Sequence, residues 1–129
     1  MIRQRDLRQD EQGATVIEFA IALPVLVMFI WGIFQVGLLF WASAGMQHGL
    51  GEGARYATIY PTPTDTQIQT RINSKLFGSG YGTFTVSPPD SSVPGYKTLT
   101  VSYTTPMDFL LVPGPTVTLT RSKKVYVAI

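Results

Sequence analysis

Followed for apolar and polar positions, the chain divides into three unlike stretches. Residues 1–12 are dominated by polar and charged side chains, with Arg3, Arg5 and Arg8 set among acids. From Phe19 to Gly51 there are then 33 residues without one Asp, Glu, Lys or Arg. Within that run, Phe19 to Trp41 gives 23 residues of nearly unbroken apolar sequence, and a ~30 Å hydrocarbon core needs about 20 helical residues. The pattern predicts a membrane-spanning helix. A soluble helix apolar on every side would need a far larger surrounding core than the remaining residues can supply.

Beyond Tyr60 the period changes. Pro61-Thr62-Pro63-Thr64-Asp65 is a break, after which Asp65 reads as the N-cap of a short helix to about Phe77, with Ile68, Ile72 and Leu76 four apart as its buried stripe. Gly78 to Gly82 ends it. Thr83 to Ser87 alternates with Phe84 and Val86 inward. Lys97 to Tyr103 places Leu99, Val101 and Tyr103 on one face and Thr98, Thr100 and Ser102 on the other. A last strand runs from about Thr116 to Val127. Its inward set, Val117, Leu119, Val125 and Val127, is interrupted by Arg121 and Lys123, which predicts a bulge or turn near Arg121. Ser87–Gly95 and Thr104–Pro115 are proline-rich and read as loops. The expected class is α+β: a long N-terminal transmembrane α-helix over residues 14–60, then a small extracytoplasmic domain, residues 61–129, with a short helix and an antiparallel β-sheet. About 69 residues without disulfides make a marginal core, so docking on the upper helix or on neighbouring subunits is expected to share in its stability.

Composition narrows the chemistry. The 129 residues carry 10 basic and 8 acidic side chains, one His and no Cys, which leaves room for one domain and excludes disulfides, thiolate catalysis, Fe–S clusters and zinc fingers. No cofactor is expected. His48 and Glu52 fall four apart on a helix face, but two ligands do not make a metal site, and His48 reads as a polar residue at the membrane exit. There is no G-x-S-x-G, P-loop or dinucleotide glycine pattern, and an enzyme is not expected. Arg121, Lys123 and Lys124 cluster, but three charges on a strand are usually a solvated edge that blocks sheet pairing, and no nucleic acid is expected as a partner. Ala42-Ser43-Ala44 could end a secretory signal, yet the apolar run exceeds the ~7–15 residues of such a segment. Three arginines precede the span and only Arg55 follows closely, so the N-terminus is expected in the cytoplasm.

Inside the span Pro24 leaves the carbonyl of Ala20 without its usual donor, so the helix is expected to kink or loosen there unless a neighbour satisfies that oxygen. Gln35 is a buried amide that in lipid seeks a hydrogen bond worth ~1 kcal/mol. Gly45, Gly49 and Gly53 stack on one face and form either a groove for a closely approaching helix or a flexible exit from the membrane. At the start of the span, Glu18 is a lone carboxylate sunk into the apolar helix. Such a charge costs about 2.5–3.5 kcal/mol at the centre of a bilayer on insertion scales, and less near the edge, so it calls for a reason or for snorkelling.

The segment Gly13-Ala14-Thr15-Val16-Ile17-Glu18-Phe19, with a polar leader before it and an apolar helix after it, resembles the class III signal peptide of type IV pilins and pseudopilins. Together with Ala20-Ile21-Ala22-Leu23-Pro24, Gly32-Ile33-Phe34-Gln35-Val36-Gly37 and Gly53-Ala54-Arg55-Tyr56-Ala57, it resembles more narrowly the TadE-like pseudopilins of tight-adherence (Tad, type IVc) pilus systems. The resemblance is dense over residues 13–57 and thins to a pattern of strands beyond. It implies a cleavable leader, residues 1–13, cut between Gly13 and Ala14 by a membrane prepilin peptidase. It implies, too, a structural or assembly role in a Tad pilus, with other pilins or pseudopilins, an inner-membrane assembly platform and membrane lipid as partners. The cell would be bacterial and the protein single-pass in its inner membrane, with the C-terminal domain periplasmic or carried into an extracellular pilus. Where such proteins carry an acidic residue and a nearby arginine in mid-segment, this chain has Gln35 and Leu38, so an ion pair is replaced by a hydrogen bond at most. Glu18, Pro24 and Gln35 are the candidate assembly residues, and Gly45, Gly49 and Gly53 the candidate helix-packing ones. Cleavage would expose an amine with a pKa near 8, and Glu18 of one subunit can pair with the amine of Ala14 on the next. The rival reading is a single-span anchor for an adhesion or interaction domain that is never processed.

Overall fold

In the computed structural model residues 7–127 are described, with side chains described from residue 13. Arg3 and Arg5 of the expected leader lie outside the described residues, and Arg8 enters only as helical backbone. Helix α1 runs Leu7–Ala57, 51 residues, or about 77 Å at ~1.5 Å per residue, more than twice a bilayer's hydrocarbon thickness. It passes through Pro24 and the glycines without a break in its assignment. It is the one helix among the described residues that is long and apolar enough to cross a membrane.

A turn after Ala57 leads to α2, Asp65–Lys75. Its N-cap is Thr64, one residue earlier than expected. The Thr64 hydroxyl accepts from the Gln67 amide and the Gln67 side chain accepts from the Thr64 amide. That capping box satisfies two groups at once, and it leaves the Asp65 carboxylate free to take an ion pair from Lys97. Ile68 and Ile72 are fully buried. The helix stops at Lys75, because Leu76 turns extended.

Three antiparallel strands follow in the order β1-β2-β3: Thr83–Val86, Tyr96–Asp108 and Pro113–Tyr126. Leu99, Val101 and Tyr103 face the core as their alternation requires. On the opposite face Thr100, Ser102 and Thr104 of β2 share hydrogen bonds with Ser122, Thr120 and Thr118 of β3 at 3.0–3.2 Å.

Two expectations are corrected. Residues 104–115 are not a loop: β2 continues to Asp108 and β3 begins at Pro113, leaving a four-residue tip. β1 pairs with β2 only as far as Thr104, so Pro106 sits where β2 has lost one neighbour, and Pro113 and Pro115 lie on an edge strand, where a missing amide hydrogen is tolerated. Nor is there a bulge at Arg121. It pairs in register with Val101, and the one register shift lies between Pro106 and Asp108. Arg121 stays on the inward-pointing side because its long stem reaches past the apolar layer to donate to Ser43 Oγ of α1 at 3.3 Å.

The core joins α1 to everything else. Ala42, Met46, Leu50 and Ala54, each four residues from the last, form a stripe buried with Ile68, Ile72, Val86, Leu99, Val101, Tyr103 and Val125. The head is docked along the upper half of the long helix.

Candidate functional site

The groove of small residues is occupied by the chain itself. A Cβ on Gly45 would lie 1.8 Å from the carbonyl oxygen of Phe77, one on Gly49 would lie 2.7 Å from Leu76 Cδ2, and one on Gly53 would lie 2.3 Å from Ile72 Cγ1. These three positions let α2 and its exit lie directly on the α1 backbone. Gly78, at φ +81°, turns the chain away against the Trp41 carbonyl. Glu52 ties the two helices electrostatically, accepting from Arg55 at 3.2 Å and from Arg71 at 3.3 Å. Its carboxylate faces cations rather than His48, whose ring lies 5.7 Å from that of Phe77. Among the described residues there is no cluster of three or more potential metal ligands.

Lower on α1 the hairpin tip reaches the helix. The Gln35 amide is buried and makes two hydrogen bonds to the backbone of Asp108: its Nε2 donates to the Asp108 carbonyl, and its Oε1 accepts from the Asp108 amide at 3.0 Å. Trp31 Nε1 donates to the same carbonyl at 2.7 Å. Gln35 therefore behaves as one more strand residue at the end of the sheet, and its hydrogen bonds are made within the chain. Nothing local in the sequence announces this pairing, because Asp108 lies 73 residues away. An apolar cleft of about 300 Å³ lies between Trp31, Leu38, Leu39, Tyr81 and Tyr103 above that contact.

Below the tip, among the described residues, α1 is bare. From Gly13 to Val27 every residue is exposed, among them Val16, Phe19, Ile21, Val25 and Leu26. Glu18 lies on this bare surface beside Ile21, Ala22 and Val25. Gly13 and Ala14 are helical and exposed, and a Cβ at Gly13 would meet nothing within 4 Å. Gly13, Ala14, Glu18 and Pro24 thus share the bare half of α1, whereas Gln35, Gly45, Gly49 and Gly53 share the half covered by the head.

The model of the TadE-like protein family matches residues 13–55, which is the segment that carries the resemblance and one third of the chain. Neither a curated protein nor a solved structure matches the chain. Over this segment the chain is similar to the TadE-like components associated with Tad pili, and its long apolar helix suggests a single-pass membrane anchor.

Proposed function

We propose that the chain is a pseudopilin, a structural or assembly component of a Tad-type pilus that is cut by a prepilin peptidase between Gly13 and Ala14 and joins other pilins through the lower half of α1. The observation that carries this reading is the division of α1. The glycine groove is filled by the chain's own α2, so the surface left for other subunits includes the fully uncovered stretch from Ala14 to about Val27, and Glu18 stands on it. The inner membrane holds the span, with the leader in the cytoplasm and the head in the periplasm. In a bundle of parallel helices the Glu18 carboxylate meets the new N-terminal amine of a neighbour, and the cost of placing a charge at the membrane edge is offset only on assembly.

The test has two steps. Intact mass of the membrane-extracted protein should show 116 residues beginning at Ala14. Gly13→Leu should abolish the cut while leaving the fold intact, since the space around Gly13 is open. Glu18→Gln should then be processed and retained in the membrane but fail to co-purify with partner pilins. An uncut chain in cells with an active prepilin peptidase would favour an anchored interaction domain, and normal assembly of Glu18→Gln would remove the pairing role.

A further inference from the structure

The tip of the β2–β3 hairpin consists of Phe109, Leu110, Leu111 and Val112, and each of them is exposed, Leu111 by 72%. Four consecutive bare apolar side chains at a strand turn are costly in water, and turns are ordinarily built from Gly, Asn, Asp or Ser. The tip is also level with the membrane span. Asp108 is bonded to Trp31 and Gln35, and Gly32 lies 3.8 Å, measured from its virtual Cβ, from the Phe109 ring. Counted from Phe19, about 20 helical residues bring the hydrocarbon boundary near Leu38, which sets Gln35 and Trp31 about 5–10 Å inside it.

The backbone of the tip suits that depth. The amide of Asp108 donates to Gln35, that of Phe109 to the Val112 carbonyl at 3.1 Å, that of Leu110 to the Asp108 carboxylate at 3.0 Å, and that of Leu111 to the Phe109 carbonyl at 2.7 Å. Four successive amides are thus satisfied inside the chain, as a segment excluded from water requires. Between the tip and α1 runs an open apolar groove of about 670 Å³, lined by Val25, Phe29, Ile33, Val36, Phe109 and Val112. It is continuous with the bare face of the span.

We infer that the hairpin tip is a second membrane element: it enters the outer leaflet beside α1, and lipid acyl chains cover Phe109–Val112 and fill the groove. This rests on the reading that α1 spans a bilayer. The head is thereby held at the membrane surface at two points, and its rotation about the helix axis relative to the bilayer is limited.

The chain has no cysteine, so Leu111→Cys supplies a single labelling site at an exposed position. The full chain bearing an NBD probe there is reconstituted in phosphatidylcholine/phosphatidylglycerol vesicles, beside Val25→Cys in the span and Ser92→Cys in the loop at the opposite end of β2. The expected result is blue-shifted emission at Leu111, strong quenching by acyl-chain-brominated lipid, and iodide quenching several-fold weaker than at Ser92. Iodide quenching equal to that at Ser92 would overturn the inference, and so would protection from both quenchers, which would mean that protein covers the tip. Quenching by brominated lipid at Val25 but not at Leu111 defeats the tip alone, whereas its absence at Val25 defeats the membrane span on which the proposal rests.

Discussion

The two halves of α1 belong to one unbroken helix and meet opposite fates. Between Gly13 and Val27 the helix exposes every residue, Leu, Val, Ile and Phe among them, and among the described residues nothing covers them. Between Gln35 and Ala57 one face is buried against α2 and the sheet, while Phe40 and Trp41 remain exposed on the other. Hydropathy falls from the lower half to the upper, where Gln47, His48, Glu52 and Arg55 enter, but polarity alone does not make a docking face. What lets another backbone lie on the upper half is the size of its residues: Ala42, Gly45, Gly49, Gly53, Ala54 and Ala57 shrink one side of the helix, whereas between Val16 and Val27 Val, Ile, Leu and Phe outnumber the small residues and suit lipid or loosely fitted neighbours. One continuous helix can therefore be anchor at one end and core at the other.

The sharpest way to break this contrast is to add bulk at a glycine in each kind of environment. Gly45→Leu should undock α2, because the first added carbon already collides with the backbone of Phe77, and backbone cannot yield as a flexible side chain can. The expected loss exceeds the roughly 1–3 kcal/mol of ordinary overpacking. It should appear as protease sensitivity of the head in detergent-solubilised full-length protein. A Cβ at Gly37 on the same helix meets nothing within 4 Å, and Gly37 is exposed, so Gly37→Leu should leave the head resistant. Equal sensitivity in the two variants would mean that helix propensity, not the groove, governs the fold.

A milder comparison truncates rather than fills. Ile72→Ala removes a fully buried side chain that lies against Gly53 and should destabilise the head by about 2–5 kcal/mol. Val25→Ala, on the uncovered half, should leave the thermal unfolding of the head unchanged. A shift of the head transition in Val25→Ala would show that the lower half is coupled to the head after all.

Much of this arrangement was readable from residue order alone. Ile68 and Ile72 at helical spacing, and Leu99, Val101 and Tyr103 at strand spacing, carry their burial in their period, because a single covered face imposes it. The four-residue spacing of glycines leaves open a groove for a helix or a flexible exit, because the choice depends on the chain doubling back after Tyr60 to lay α2 there. The N-cap of α2 reads one residue late, at Asp65, because Asp and Thr are both good caps by residue type, and Gln67 completes the box only with Thr64. Prolines misled over residues 104–115, since their cost in a strand vanishes where the neighbouring strand has ended. Arg121 misled for a related reason: a charged residue on the inward side of an edge strand can extend to Ser43 without leaving register. The partner of Gln35 had no local signature at all.

Gln35 stands at the boundary between the two halves, and replacing it gives the smallest and most selective effect. In Gln35→Leu the Asp108 carbonyl keeps the Trp31 donor, so only the Asp108 amide loses its acceptor. Were water to reach the tip, the freed amide would be hydrated and the cost would fall at or below the ~1 kcal/mol of an ordinary hydrogen bond. With the tip in acyl chains no water is at hand, and the unsatisfied amide costs about 1–3 kcal/mol. The difference is measurable as amide hydrogen exchange at residues 108–112, compared between wild type and Gln35→Leu in vesicles. Exchange in the variant should rise at the tip while α2 and the Leu99–Tyr103 segment stay protected, because their core lies above the boundary and does not include Gln35. Faster exchange throughout the head would instead make Gln35 part of the docking core and move the boundary between the halves of α1 downward.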